Sequence, residues 1–274
     1  MDNPERSHRG NKLVFLKLGG SLITDKNTPR TARIEVLQQV SMEIKSALEQ
    51  DPSLQILLGH GSGSFGHYSG KKYKTRDGVS SQGDWLGFAE VWYDAASLNQ
   101  LVIKALKDAG LSPVAFPPSS TVLSSNREIT SWDLRPIRST LDKGLLPVVY
   151  GDVVFDSSIG GTILSTEDLF VHLARKFKPG RILLAGQDPG VWRDFPACTS
   201  LYDKISPADR STLGGTVSQS QAPDVTGGME DKVEQMLKLI EEIPEIGCLI
   251  FSGEEPGSIT DALSGLNIGT LLSL

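Results

Sequence analysis

Ile56-Leu57-Leu58-Gly59-His60-Gly61-Ser62-Gly63-Ser64-Phe65-Gly66-His67 decides the reading of this chain. A short apolar run ends in a loop with glycines at 59, 61, 63 and 66, bracketed by two of the chain's four histidines. Glycines at this density let backbone N–H groups converge and let a ligand approach the main chain. The natural occupant of such a cradle is an anion, most often a phosphate. Two more glycine turns flank it in sequence, Lys17-Leu18-Gly19-Gly20-Ser21 and Thr226-Gly227-Gly228-Met229. Together the three turns predict a site that holds both ends of one phosphoryl transfer.

Around these turns, strand and helix patterns alternate. Lys12 to Leu18 is a mostly apolar run, as expected of a strand buried on both faces. Ile34, Leu37, Ser41, Ile44 and Leu48 recur at helical spacing, and Gln55 to Leu58 is the second strand. Gly70 to Arg76 is basic and is expected to be a mobile segment. A long helix should run from about Asp84 to Ala109, with Phe88, Val91, Ala95, Leu98, Val102 and Leu106 inward and Gly110 closing it. Further strands are expected at 113–116, 145–150, 181–185 and 247–251, a hairpin over Val153–Leu164, and helices at 137–141, 167–177 and 228–243. Pro117 to Asn126 reads as a loop, Pro196 to Val225 as irregular, and Thr270 to Leu274 as an edge strand. Such alternation predicts an α/β fold: a three-layer αβα sandwich on a mainly parallel central sheet, with the site at the carboxyl ends of the strands.

Composition narrows the class. The 274 residues are 39% apolar, enough for one large core or two joined lobes, and the net charge of −6 disfavours a nucleic-acid partner. Cys198 and Cys248 stand far apart and form no metal or redox motif. Met1 to Asn11 is polar, without the apolar core of a signal peptide, and is expected to be a disordered leader. No apolar run reaches the roughly 18 residues of a membrane span. A cytoplasmic protein is expected.

Gly61-Ser62-Gly63-Ser64-Phe65-Gly66 formally matches the dinucleotide fingerprint G-x-G-x-x-G. That fingerprint opens a helix directly from its glycines. Here His67-Tyr68-Ser69-Gly70 and the basic segment follow, which predicts a loop and a wider anion pocket. Neither a P-loop nor the protein-kinase motif set is present. Three lysines attend the glycine turns: Lys17, Lys26 and Lys232. A lysine ending an apolar strand either snorkels to solvent or faces an anion. Lys232 sits in a first helical turn, where the helix dipole already favours negative charge, and a phosphate there would reconcile the two. Asp152 and Asp168 stand at element boundaries, where capping and catalysis are both open. His60, at a strand end, reads as structural.

Taken together, Lys17-x-Gly19-Gly20-Ser21, His60-Gly61-x-Gly63, the helix start at Asp168 and Thr226-Gly227-Gly228-Met229-x-x-Lys232 resemble the amino acid kinase superfamily. Ser64-Phe65-Gly66-His67, Gly151-Asp152-Val153-Val154-Phe155-Asp156 and Gly70-Lys71-Lys72-Tyr73 are similar, within it, to the isopentenyl phosphate kinases, from about Lys12 to the end of the chain. The resemblance implies ATP-dependent, magnesium-assisted phosphorylation of isopentenyl phosphate to isopentenyl diphosphate for isoprenoid synthesis, by a homodimer. It implies that His67 and the backbone of Gly61, Ser62 and Gly63 bind the acceptor phosphate, closed on the other side by Gly160 or Gly161. It implies that Lys17, Lys26 and Lys232 neutralise the transferring group, that Asp168 holds the lysines, and that Gly19, Gly20, Ser21, Gly63, Asp188, Gly190 and Gly228 attend the nucleotide. It implies no protein metal ligands, and an acceptor-binding lobe over 12–180 with a nucleotide-binding lobe over 181–274. Three departures stand out: Ser62 replaces a glycine, Gly186-Gln187 replaces Thr-Asp, and Ser165-Thr166-Glu167-Asp168 replaces Ser-Gly-Asp-Asp.

A phosphate acceptor suits these residues physically. An alcohol must lose a proton and calls for a base. A phosphate monoester has a second pKa near ~6 and arrives ionised. The site then needs cations and oriented donors. Two other readings fit the same motifs: a kinase for another compact anion, such as a fosfomycin kinase, and a catalytically silent nucleotide-binding regulator. An apolar tail pocket near Phe88, Val91 and Trp92 would favour the isoprenoid.

Overall fold

The computed structural model describes residues 12–213 and 228–274. The polar leader at 1–11, residues 214–225 and the Thr226-Gly227 half of the third glycine turn lie outside the described residues.

An eight-stranded sheet runs, edge to edge, β10 (Lys204–Ile205), β12 (Thr270–Leu272), β11 (Gly247–Ser252), β9 (Arg181–Gly186), β1 (Leu13–Leu18), β2 (Gln55–His60), β6 (Leu146–Tyr150) and β3 (Pro113–Ala115). From β11 to β3 the strands are parallel; β12 runs against β11. β1 is buried along its whole length. Its odd positions Leu13 and Phe15 join one core and its even positions Val14, Leu16 and Leu18 the other, which is why the run is apolar without alternation.

Helices cover both faces. α6 (Arg135–Asp142), α7 (Thr166–Phe177) and α9 (Met229–Glu242) bury Ile137, Phe170, Met236 and Leu237 against the odd face of β1. α1 (Gly20–Ile23), α2 (Ile34–Gln50), the second half of α4 (Gln82–Asp108) and α10 (Ser258–Ser264) bury Leu22, Leu37, Leu98 and Ile259 on the even face. Each such side chain stabilises by roughly 1.5–3 kcal/mol. The expected three-layer sandwich is thus the observed one. A smaller sheet, ordered β5 (Glu128–Trp132), β4 (Val122–Ser125), β7 (Asp152–Asp156) and β8 (Gly160–Leu164), continues from β6 through Gly151. The first half of α4 packs on it through Phe88 and Val91, which meet Val79, Val153 and Ile163. Two single-turn helices, α5 (Pro118–Thr121) and α8 (Arg210–Leu213), complete the main elements.

Four expectations change. The stretch after the glycine loop is a helix, α3 (Gly63–Tyr73), so a helix does open directly from the glycines. Glycine weakens a helix by about 1 kcal/mol per residue. Here Gly66, Ser69 and Gly70 are buried, and Tyr73 covers Gly87 of α4, where a Cβ would lie 2.4 Å from the ring. Close packing on α4 replaces propensity. Second, the expected loop at 117–126 contains β4, hairpinned to an unforeseen β5. Their turn hangs on one carboxylate: Asp156 accepts from the backbone of Asn126, Arg127, Ser158 and Ile159 and from the Ser124 hydroxyl. Third, an unforeseen helix, α10, follows β11; it has no local side-chain cap, and Glu43 of α2 accepts from Gly257 and Ile259 instead. Fourth, β12 is not an edge strand, because β10 covers it.

Candidate active site

The carboxyl ends of β1, β2, β9 and β11 open on one cleft. Lys17, Gly19, Gly20, Ser21, Gly61, Ser62, Gly63, His67, Asp188 and Lys232 line it together. The first two glycine turns touch. A Cβ on Gly20 would lie 2.4 Å from the amide nitrogen of Gly63. Gly63 has φ +48°, and its Cβ would lie 2.1 Å from Thr24 Oγ1. Only glycine fits where two backbones meet at this spacing.

Three helices of three turns or more begin at the wall. α3 starts at Gly63, α7 at Thr166 and α9 at Met229, all beside lining residues. Their dipoles favour anions in the cleft. His67 lies one turn into α3, half-buried and facing the cleft. Lys232 lies one turn into α9.

Lys17 is placed by strand periodicity. It follows Leu13 and Phe15 on the odd face, toward α7. Phe15 packs on Phe170 with ring centroids 5.1 Å apart. One step along the strand from Phe15, and one turn back along the helix from Phe170, Lys17 Nζ meets Glu167 Oε1. Both side chains are buried. Burial raises the Glu167 pKa, but the charges of Lys17 and then Lys232 outweigh it and hold the carboxyl below its ordinary value. The pair is ionic, and its carboxylate feels both cations.

The expectation that Asp168 holds the lysines is corrected. Asp168 is the third helical residue of α7 and closes a capping box with Ser165. Its other oxygen accepts from Gln235 Nε2 of α9 at 2.9 Å, and Arg76 stands 3.8 Å away. The lysine contact belongs to its neighbour Glu167. Ser165-Thr166-Glu167-Asp168 carries the signal: the S-x-x-D pattern spends Asp168 on the cap and leaves Glu167 free to turn inward.

Other expected residues stand off the wall. Gly160 backs onto the Val79 carbonyl and Gly161 onto the Phe88 ring; the lining of that strand is Ile163 and Leu164. Gly190 packs against Thr270, Gly228 is the N-cap of α9, and Lys26 is exposed on a loop. Trp92 is exposed, whereas Phe88 and Val91 are buried behind Ile163. Gln187 and Met229 line the cleft, and so do Gly151 and Thr166, which had no expected role there.

Two buried titratable groups lie near. His60 is fully buried, stacked on Tyr150, with its ring nitrogens facing the Gly61 carbonyl and Asn99 Oδ1 at 3.1 and 3.2 Å. Burial lowers its pKa and keeps it neutral. Its carbonyl takes the Thr166 hydroxyl at 2.6 Å, tying β2 to the start of α7. Asp152 accepts from the backbone of Ser119 and Val153, and burial pushes its pKa up to about 6.

The chain matches the model of the amino acid kinase family over residues 12–252. It is 33% identical to isopentenyl phosphate kinase from Methanocaldococcus jannaschii, covering 94% of this chain and 97% of that one. It is 34% identical to the Methanothermobacter thermautotrophicus isopentenyl phosphate kinase over 92% and 96%. A solved isopentenyl phosphate kinase superposes with a TM-score of 0.81 at 29% identity, covering 95% of this chain and all of that one. A UMP kinase from Bacillus anthracis, at 17% identity and a TM-score of 0.66, shares the fold. Sequence and fold agree that the chain belongs to the amino acid kinase family, on its isopentenyl phosphate kinase branch.

Proposed function

We propose that this enzyme transfers the γ-phosphoryl group of ATP to isopentenyl phosphate, giving isopentenyl diphosphate. The observation that carries the reading is the single cleft in which His67, two touching glycine turns, Lys17, Lys232 and three helix N-termini converge. The acceptor phosphate takes hydrogen bonds from His67 and the Gly61–Gly63 backbone, and its ionised oxygen attacks without a base. Lys17 and Lys232 neutralise charge as two anions approach, and Glu167 fixes Lys17 in place. Gly19, Gly20 and Ser21 attend the ATP phosphates, while Gln187 and Asp188 flank the adenosine. Catalysis here is positioning plus electrostatics.

The apolar wall supports an isoprenoid tail over a small phosphonate. Ile163 and Leu164 face the cleft, and Val79, Phe88, Val91 and Val153 pack behind Ile163. A tail lying along Ile163 and Leu164 would meet hydrocarbon.

Among the described residues there is no group of three or more His, Cys, Asp or Glu able to cage a metal. Magnesium, when bound, is carried by the nucleotide phosphates and water, as is usual for that ion, and neutralises their charge. We further read residues 12–180 as supplying the acceptor walls and 181–274 most of the nucleotide walls, in a cytoplasmic homodimer. No helix among the described residues is long and apolar enough to cross a membrane.

A coupled assay of ADP release with isopentenyl phosphate, dimethylallyl phosphate and fosfomycin tests the reading. Turnover should be highest with the two isoprenoid phosphates. Preference for fosfomycin, or no turnover with any of the three, would overturn it.

A further inference from the structure

Thr24 to Arg33 joins α1 to α2 and carries Lys26. This loop is a closed ring: Thr24 and Ala32 form an antiparallel bridge, and the Asp25 amide donates to the Thr31 carbonyl at 2.9 Å. Asp25 also folds the tip, accepting from the Asn27 amide at 2.8 Å and the Thr28 hydroxyl at 3.0 Å. Lys26 is exposed at that tip and makes none of these bonds.

The ring is fastened on two sides by different arginines. On the acceptor side, Arg30 donates to both oxygens of buried Asp94 on α4, at 2.7 and 3.1 Å, and to Glu90 at 3.2 Å. Its backbone donates to the Ser64 carbonyl at 3.2 Å, and Ser64 donates to Thr24 Oγ1 at 2.9 Å, so the ring also grips the first turn of α3. Arg30 holds φ +53°, a conformation that costs a non-glycine residue on the order of 1 kcal/mol. On the nucleotide side, Arg33 forks onto both oxygens of Glu254 and reaches the Leu22 carbonyl at 3.0 Å. Glu254 also lies near Gln187, which lines the cleft, and feels the charge of Lys26.

A surface loop needs neither a buried carboxylate nor two forked arginine clamps to stay folded. Fork geometry fixes direction as well as distance. One clamp ties the ring to the elements that bear His67 and the apolar wall, the other to the residue beside the adenosine. Lys26 hangs between them.

We propose that Arg30 and Arg33 are positioning residues for phosphoryl transfer, each holding one side of the Thr24–Arg33 ring so that Lys26 meets the transferring group. This rests on the kinase reading above and deepens it. Neither arginine lines the cleft, and Lys26 itself stands off its wall, so the arginines act by holding the ring from which the long Lys26 side chain reaches toward bound phosphate.

A double-mutant cycle tests it. Arg30→Met, Arg33→Met and Lys26→Met are made singly, and each arginine variant is combined with Lys26→Met. kcat, both KM values and Tm are measured with whichever of the three acceptors the wild type turns over. Each single variant should lower kcat by about tenfold or more. In the Lys26→Met background, either arginine substitution should lower kcat by less than about twofold further, because the lysine it positions is gone. The drop in Tm should persist in that background, which separates positioning from folding. Multiplying kcat losses, or full kcat in Lys26→Met, would overturn the proposal even where the wild type is active on isopentenyl phosphate. A wild type inactive on all three acceptors overturns the kinase reading and this proposal with it.

Discussion

Lys17 and Glu167 form a buried ion pair across 150 positions of sequence, at the point where the odd face of β1 runs out beneath the first turn of α7. The pair explains how a lysine can end an apolar strand. Its charge is held by a carboxylate rather than drawn off to solvent, and it stays aimed at the cleft.

Glu167→Gln should lower turnover by about 100-fold or more and cost roughly 3–5 kcal/mol of stability, because Lys17 is left buried without its counter-charge. Asp168→Asn should cost only about 1 kcal/mol, the worth of a helix cap. Urea denaturation beside steady-state kinetics checks both. Equal kinetic losses in the two variants would return the lysine-holding role to Asp168.

His67→Ala should reduce phosphorylation of isopentenyl phosphate by at least about 100-fold while ATP affinity, read by calorimetry, changes by less than about threefold. The half-buried ring leaves little apolar surface to lose, so Tm should hardly move. Wild-type turnover in this variant would remove His67 from the acceptor site.

Lys232→Ala should raise the KM for ATP and lower kcat by about tenfold or more, and should also let the Glu167 carboxyl titrate higher, since Lys232 helps to depress it. Unchanged ATP kinetics would place the first turn of α9 outside the reaction.

Asp152 sets a pH signature. Its pKa lies near 6 when folded against 3.8 unfolded, so the native state binds the extra proton between those values. Stability from this group is therefore present below about pH 4, falls as pH rises to about 6, and stays lost above that. The stability difference between wild type and Asp152→Asn should shift against wild type by about 3 kcal/mol across that window, from two pKa steps at about 1.4 kcal/mol each. A flat difference curve would show that Asp152 titrates normally.

Gly63→Ala should abolish activity and destabilise the protein. The added methyl would sit 2.1 Å from Thr24 Oγ1 and 2.6 Å from the Gly20 carbonyl, on a backbone already at φ +48°. Circular dichroism and an ATP-binding titration read the two losses.

Much of this protein was legible in its sequence, because the features involved are local. Buried parallel strands need continuous apolar runs, so β1, β2, β6, β9 and β11 announced themselves, and the period of α4 marked Phe88, Val91 and Leu98 as core. Glycine turns after strands pointed to anion cradles whatever lay between them. What the sequence could not decide rests on partners distant along the chain. α3 is a helix despite its glycines because it packs closely on α4, with Tyr73 set against Gly87. α10 exists because Glu43, more than 200 positions earlier, caps it. Glu167 rather than Asp168 meets Lys17 because the capping box consumes one acid and the pleat of β1 delivers the lysine to the other. Gly160 and Gly161 serve the contact of β8 with Val79 and Phe88 instead of the cleft. Local propensity and periodicity set which elements form. Only packing sets which side of each element faces the substrate, since that depends on distances no stretch of sequence contains.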